Sequence, residues 1–187
     1  MANFDPHKGY APLLAETLVT ESQLQMRCGE LGAQISRDYA GREVMLICIL
    51  RGGVMFLTDL MRHIRVPCQI DMMAVQSYDV GARFSNGEPR ITLDLNSSIR
   101  DRHVLLVEDI VDSGHTIAQV LKILQTREPA SLKVCALLNK QSRRQANVPL
   151  SYVGFEIEDK YVFGYGLDLD EYFRNLPFIG VLKPEHY

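Results

Sequence analysis

Val104-Leu105-Leu106-Val107-Glu108-Asp109-Ile110-Val111-Asp112-Ser113-Gly114-His115-Thr116 is the stretch that decides the fold. An apolar run ends in two adjacent carboxylates, a third follows three residues later, and a small, hydroxyl-rich turn containing glycine comes next. Ile117, Val120, Leu121 and Leu124 then fall at helical spacing. This pattern predicts a buried strand over 104–108, a tight loop, and a helix over 116–125. Such a helix start turns backbone N–H groups and the positive end of the helix dipole toward an anion, most simply a phosphate. The acids just before the loop are placed to hold hydroxyls or a hard metal ion beside that phosphate. A phosphorylated sugar meets both demands.

The same grammar repeats on either side. Thr20-Glu21-Ser22-Gln23 reads as a capping box, and Leu24, Cys28, Leu31 and Ile35 continue it as a helical stripe that fades near Tyr39-Ala40-Gly41. A continuous apolar strand is expected over 44–50, then the turn Arg51-Gly52-Gly53, then a helix over 54–64. Further strands are expected over 69–75, 133–138, 152–155 and 161–163. Between Asp79 and Ser98 the pattern dissolves into Gly, Ser, Asn, Pro and isolated charges, with Ser85-Asn86-Gly87-Glu88 as a turn that could tip a β-excursion. Strands alternating with helices predict an α/β fold with a mostly parallel central sheet flanked by helices. In such folds ligands bind at the C-terminal ends of the strands. There lie Arg51-Gly52, the stretch from Glu108 to Thr116, and Asn139-Lys140.

A chain of 187 residues, 47% hydrophobic and 23% charged, suits one globular domain. A net charge of −3 gives no reason to expect nucleic-acid binding. The apolar run over 44–50 is too short to span a bilayer, and the N-terminus has no signal-type apolar segment. Cys28, Cys48, Cys68 and Cys135 form no CxxC pair and read as reduced core residues. Together these features predict a cytoplasmic protein with neither a nucleic-acid nor a membrane partner.

Each residue of the central motif has a chemical reading. Glu108 and Asp109, adjacent on a strand, point to opposite faces, so both reach one ligand only if the chain turns there. Asp112 is placed for proton transfer to or from a ring nitrogen, or as the cap of the following helix. Gly114 allows close backbone approach, and Ser113 and Thr116 add hydroxyl donors, with His115 beside them. The stretch of about twenty residues after Tyr78 is long for an unstructured connection and suggests a lid that excludes water.

The stretch from Val107 to Thr116 resembles the signature for 5-phosphoribosyl 1-diphosphate (PRPP) in type I phosphoribosyltransferases. More narrowly, the chain is similar to the hypoxanthine-guanine phosphoribosyltransferases over residues 15–182. Leu50-Arg51-Gly52-Gly53 resembles their diphosphate loop, and Gln76-Ser77-Tyr78 the start of their lid. Asn139-Lys140 resembles their base-recognition segment. Lys160-Tyr161-Val162-Phe163-Gly164-Tyr165-Gly166-Leu167-Asp168 and Glu171-Tyr172-Phe173-Arg174 resemble their C-terminal purine and diphosphate segments.

The resemblance implies a type I phosphoribosyltransferase fold in a single domain over 1–187. Its core would span about 40–150, its hood about 1–30 and 151–187, and its lid about 77–98. Glu108 and Asp109 would hold the ribose hydroxyls, partly through Mg²⁺, and Asp112 would face N7 of the purine as general acid/base. Ile110, Val111, Ser113, Gly114, His115 and Thr116 would complete the PRPP or nucleotide site. Arg51, Gly52 and Arg174 would bind diphosphate, with a cis peptide allowed before Arg51. Lys140, Lys160, Tyr161, Val162 and Asp168 would bind the purine, Lys140 donating to its O6. Asp168 would also contact a second Mg²⁺, and Ser77 and Tyr78 would close over PRPP. The implied reaction transfers the phosphoribosyl group to N9 of hypoxanthine or guanine, giving IMP or GMP, in a homodimer or homotetramer. Two other readings share the signature: a xanthine-preferring transferase, and a PRPP-sensing regulatory protein.

Overall fold

In the computed structural model, which describes residues 4–76 and 90–187, the elements follow a simple order. They are β1 (Leu14–Val19), α1 (Glu21–Asp38), β2 (Val44–Leu50), α2 (Val54–His63), β3 (Cys68–Gln76), β4 (Arg90–Leu93) and β5 (His103–Val111). After these come α3 (His115–Gln125), β6 (Ser131–Asn139), β7 (Tyr152–Glu156), β8 (Val162–Phe163) and β9 (Ile179–Leu182). Six strands form the main sheet in the order β4-β3-β2-β5-β6-β7. All its neighbours run parallel except β4, which is antiparallel to β3.

The central strands are apolar on both faces because both faces are covered. Leu46 and Cys48 of β2, with Leu105 and Val107 of β5, pack against Leu24, Cys28, Leu31 and Ile35 of α1 and Phe56, Leu57 and Leu60 of α2. Met45, Ile47, Val104 and Leu106 point the other way and meet Ile117, Val120 and Leu124 of α3. The predicted capping box forms: Gln23 N–H donates to Thr20 Oγ1 (3.3 Å), and Thr20 N–H donates to Gln23 Oε1 (2.9 Å). All four cysteines are free thiols; Cys28, Cys48 and Cys135 are buried. Among the described residues no helix is long and apolar enough to cross a membrane.

The structure departs from the sequence reading in three places. β5 does not stop at Glu108 but continues through Ile110 and Val111, pairing with β6 as far as Val111↔Asn139. Two unexpected strands, β1 and β9, join β8 in a three-stranded antiparallel sheet ordered β1-β9-β8, which is the hood. The hood is smaller than expected: α1 lies in the core from Glu21 onward, and β7 is an edge strand of the main sheet. Arg90–Leu93 forms β4, antiparallel to β3, in the segment where a β-excursion is one reading. The lid residues Ser77 and Tyr78, and the turn at 85–88, lie outside the described residues.

Candidate active site

Three adjoining cavities line the C-terminal edge of β2, β5 and β6, and the residues singled out from sequence distribute among them.

The smallest, about 140 Å³, lies over the loop from Asp112 to Thr116. Val111, Ser113, Gly114 and Thr116 line it, together with Glu108. Gly114 begins α3 at φ 84°, a left-handed conformation that favours glycine. A Cβ there would also sit 3.1 Å from Ala146 O. Gly114 has no side chain to cap α3, and apart from the long hydrogen bond from His115 N–H to Ser113 Oγ (3.5 Å) the first turn leaves amides for an anion. The capping role considered for Asp112 is thus not realised, because Gly114 holds that position. His115 does not line the cavity; its Nε2 meets Gln145 Oε1 at 3.0 Å. The loop is braced from behind: Ser113 O accepts from the Gln145 and Ala146 amides (2.9 and 3.0 Å). Arg144 donates to Asp112 O (3.2 Å), Val111 O (3.3 Å) and Asn139 Oδ1.

The second cavity, about 550 Å³, brings Ile110, Asp112, Lys140, Tyr161, Val162 and Asp168 together. Lys140 Nζ lies 3.9 Å from Asp112 Oδ2 and 3.6 Å from Asp159 Oδ1. Arg143 closes the ring of charges, with Nε 3.0 Å from Asp112 Oδ1 and Nη1 3.2 Å from Asp159 Oδ2. The Arg143 contact to Asp112 is an ion pair out of hydrogen-bond alignment, so buried Oδ1 has no hydrogen-bond donor among the described residues. The Tyr161 ring, 43% exposed, forms an open flat wall beside Tyr187 (centroids 6.1 Å apart). Lys160 does not reach this cavity: its Nζ is 2.8 Å from Glu16 Oε1 and 3.4 Å from Glu158 Oε2, fastening β1 of the hood.

The third cavity, about 810 Å³, is lined by Arg51, Gly52, Glu108, Asp109, Asp168 and Arg174, among others. The Leu50–Arg51 peptide is cis. Gly52 is required by crowding, since a Cβ there would lie 1.6 Å from Asp109 Oδ2. Gly166, at φ 99°, presses from the opposite side, where a Cβ would lie 2.0 Å from Gly52 O. Arg174 holds this wall by donating to Gly166 O (2.8 Å) and pairing with Asp168 Oδ1 (2.9 Å).

Glu108 and Asp109 face opposite sides of β5, as alternation requires, yet both line this cavity because it wraps over the sheet edge. No chain turn is needed. Burial drives both carboxyls toward their protonated forms. Glu108 is raised well above the usual range by burial and by the Asp109 charge. Asp109 is pushed up to about 6 by burial, with the Ile110 amide and Arg174 opposing and Asp168 reinforcing the rise. Glu108 Oε2 is buried without a hydrogen-bond partner among the described residues.

These orphaned or proton-hungry oxygens suit a hard divalent cation or sugar hydroxyls. Among the described residues no three His, Cys, Asp or Glu side chains form a ready-made metal cage. Mg²⁺ rarely needs one, since one or two carboxylates with substrate phosphates and water complete its shell.

Sequence reasoning missed Asp159, Tyr187 and the bracing role of Arg144, and it saw Arg143 only as part of the basic run Lys140-Gln141-Ser142-Arg143-Arg144. That run held the one available signal: three cations directly after a buried strand and beside the Asp112 loop.

A parallel sheet whose C-terminal edge joins an anion loop, paired carboxylates and a cationic cavity defines a transferase of phosphorylated pentoses. The phosphoribosyl transferase domain matches residues 15–171. The chain is 46% identical to the hypoxanthine-guanine phosphoribosyltransferase of Staphylococcus aureus over 93% of its length and 97% of that protein's. It is 45% identical to the enzyme of the same name from Mycobacterium avium, covering 97% of this chain and 92% of that one. A crystal structure of a Staphylococcus aureus hypoxanthine phosphoribosyltransferase superposes with a TM-score of 0.89 at 45% identity, covering 94% of this chain and 95% of that one. The chain belongs to the hypoxanthine-guanine phosphoribosyltransferase family of enzymes.

Proposed function

We propose that this enzyme transfers the 5-phosphoribosyl group of PRPP to N9 of hypoxanthine or guanine, releasing diphosphate, with Mg²⁺ as cofactor. The observation that carries the reading is the placement, in one cavity, of the buried Lys140 ammonium beside Asp112, Nζ lying 3.9 Å from Oδ2 while Oδ1 has no hydrogen-bond donor among the described residues. A 6-oxopurine supplies the complement: an O6 acceptor for Lys140 and an N7 proton for Asp112. Adenine, with a 6-amino donor, would leave the lysine unpaired.

In this reading the 5′-phosphate sits on the amides and hydroxyls of Ser113, Gly114 and Thr116. Glu108 and Asp109 hold the ribose hydroxyls. Tyr161 stacks on the base, and Val162 reads its edge by backbone groups. Arg51, Gly52 and Arg174 receive the diphosphate. The N9–C1′ bond forms as the C1′–O bond to diphosphate breaks, and the N7 proton passes to the Asp112 carboxylate. Cationic side chains stabilise the departing charge. Mg²⁺, held by Asp168 and the β5 carboxylates, neutralises diphosphate charge when bound.

The test incubates the protein with PRPP, Mg²⁺ and each of adenine, guanine, hypoxanthine, xanthine and uracil, and quantifies the nucleotides formed. IMP and GMP are expected; a product confined to xanthine or uracil defeats the reading. Asp112→Asn is expected to lower kcat by roughly 10²–10⁴ while leaving PRPP affinity within about threefold. A comparable loss in both would make Asp112 a binding residue instead.

A further inference from the structure

Glu171 lines the 810 Å³ cavity without any part in the transfer just described. Its carboxylate joins the two cations assigned to diphosphate: Oε1 lies 2.7 Å from Arg51 Nη2, and Oε2 lies 3.1 Å from Arg174 Nη2. Asp168 pairs with Arg174 but not with Arg51. Glu171 therefore closes the gap between the two guanidinium groups.

The backbone that aims this carboxylate is strained. Glu171 has φ 73°, with Asp170 at 49° and Phe173 at 66°. Non-glycine residues rarely adopt this region, and they keep it where surrounding contacts impose it, most often at functional sites. The imposing contacts are visible. Asp168 Oδ2 accepts from the Glu171 amide (2.9 Å), Leu169 and Tyr172 exchange backbone hydrogen bonds (3.0 and 3.1 Å), and the Phe4 ring packs on Tyr172 and Phe173 (6.1 and 5.7 Å).

The ion pairs themselves are easily broken. Side-chain exposure is 57% for Glu171 and 68% for Arg51, so water screens both partners. Carboxylates and phosphates are alternative acceptors for the same planar guanidinium fork. A diphosphate that engages Arg51 and Arg174 must take the edges that Glu171 now holds.

We propose that Glu171 is a resident competitor for the diphosphate group. It holds Arg51 and Arg174 in register in the empty enzyme, yields them to the diphosphate of PRPP, and reclaims them as the product leaves. It thereby sets the affinity for diphosphate-bearing ligands and for those alone. The proposal rests on the reading of this cavity as the diphosphate site. A ligand that binds only when a competing contact opens has its affinity reduced by the open fraction. Removing two screened ion pairs is therefore expected to tighten binding roughly two- to tenfold.

The test is calorimetric titration of the full-length wild type, Glu171→Gln and Glu171→Ala with three ligands, each with Mg²⁺: inorganic diphosphate, PRPP and inosine 5′-monophosphate. Both variants are expected to bind diphosphate and PRPP more tightly by that factor, with a matching fall in KM for PRPP. Inosine monophosphate, which carries no diphosphate, is expected to change less than about twofold. Unchanged or weaker diphosphate binding in both variants overturns the proposal and makes Glu171 a strut or a metal ligand. Tightening that extends equally to the monophosphate overturns it as well. A wild type that binds neither diphosphate nor PRPP instead refutes the reading of the cavity, a result separable from any difference among variants.

Discussion

At the scale of single residues, the candidate site holds polar atoms without hydrogen-bond partners among the described residues, Glu108 Oε2 and Asp112 Oδ1. Lys140 is 7% exposed, and its neighbours Asp112 and Asp159 lie at 3.9 and 3.6 Å, too far for full hydrogen bonds. A buried ammonium with spare donors favours any ligand that offers an acceptor. Lys140→Met is therefore expected to lower kcat/KM for hypoxanthine and guanine by roughly 10- to 150-fold, the cost of a lost hydrogen bond to a charged group. Discrimination against adenine should narrow with it, as competition assays with paired bases would show. Gly52 makes a second test. Any Cβ there overlaps Asp109 Oδ2 at 1.6 Å, so Gly52→Ala must displace that carboxylate. Misplacement of a positioning group by about 1 Å can cost 10²-fold. The variant is expected to raise KM for PRPP at least about tenfold, with KM for the base altered far less.

At the scale of elements, close backbone approach matters as much as apolar pattern. Gly32 of α1 faces His63 of α2, where a Cβ would lie 2.4 Å from His63 Cβ and 2.8 Å from its carbonyl carbon. Because backbone cannot yield as a flexible side chain can, Gly32→Ala is expected to destabilise the protein by about 1–3 kcal/mol. A lower urea midpoint with an unchanged m-value would register this. None of this crowding is visible in a sequence, whereas the main-sheet pattern is. The runs beginning at Val44 and Val104 announce strands buried on both faces, and the stripe from Leu24 to Ile35 announces α1. The end of β5 is hidden because two carboxylates interrupt the run, although Ile110 and Val111 continue it. β1 and β9 escape notice for a different reason. β9 has only four residues, and the pairing of β1 with it contains register shifts, so no clean alternation survives. Their pairing is a tertiary fact. The site is legible where it is local, from Glu108 to Thr116 and at Lys140. It is illegible where distant segments converge, as Arg143 and Asp159 do on Asp112, or where Lys160 turns away to Glu16.

At the scale of the whole molecule, stability is traded for a site that holds acids out of water. Asp109 titrates near 6 in the folded chain against an ordinary value of 3.8, and Glu108 lies well above its ordinary 4.5, both chiefly because of burial. Between the ordinary carboxylate range and these raised values, the folded protein keeps protons that the unfolded chain has released. Stability must then fall as pH rises through that window, because the unfolded state binds fewer protons than the native one. The contribution is complete below about pH 4 and is lost for Asp109 as pH passes about 6; Glu108 extends the loss upward. An amide in place of the Asp109 carboxyl does not ionise across this range. The ligand-free Asp109→Asn variant is therefore expected to exceed the wild type in unfolding free energy at pH 8 by on the order of 1–3 kcal/mol, and to converge with it near pH 4. Urea titrations of both proteins across pH 4–8 measure the difference directly; the comparison cancels titrations remote from the site, while Glu108, relieved of the Asp109 charge, adds to the gap in the same direction. A gap that stays constant with pH would mean that Asp109 is not the group responsible. The same substitution should weaken PRPP binding, because in the proposed function the Asp109 charge that burdens the fold is also the one that holds the ribose hydroxyls.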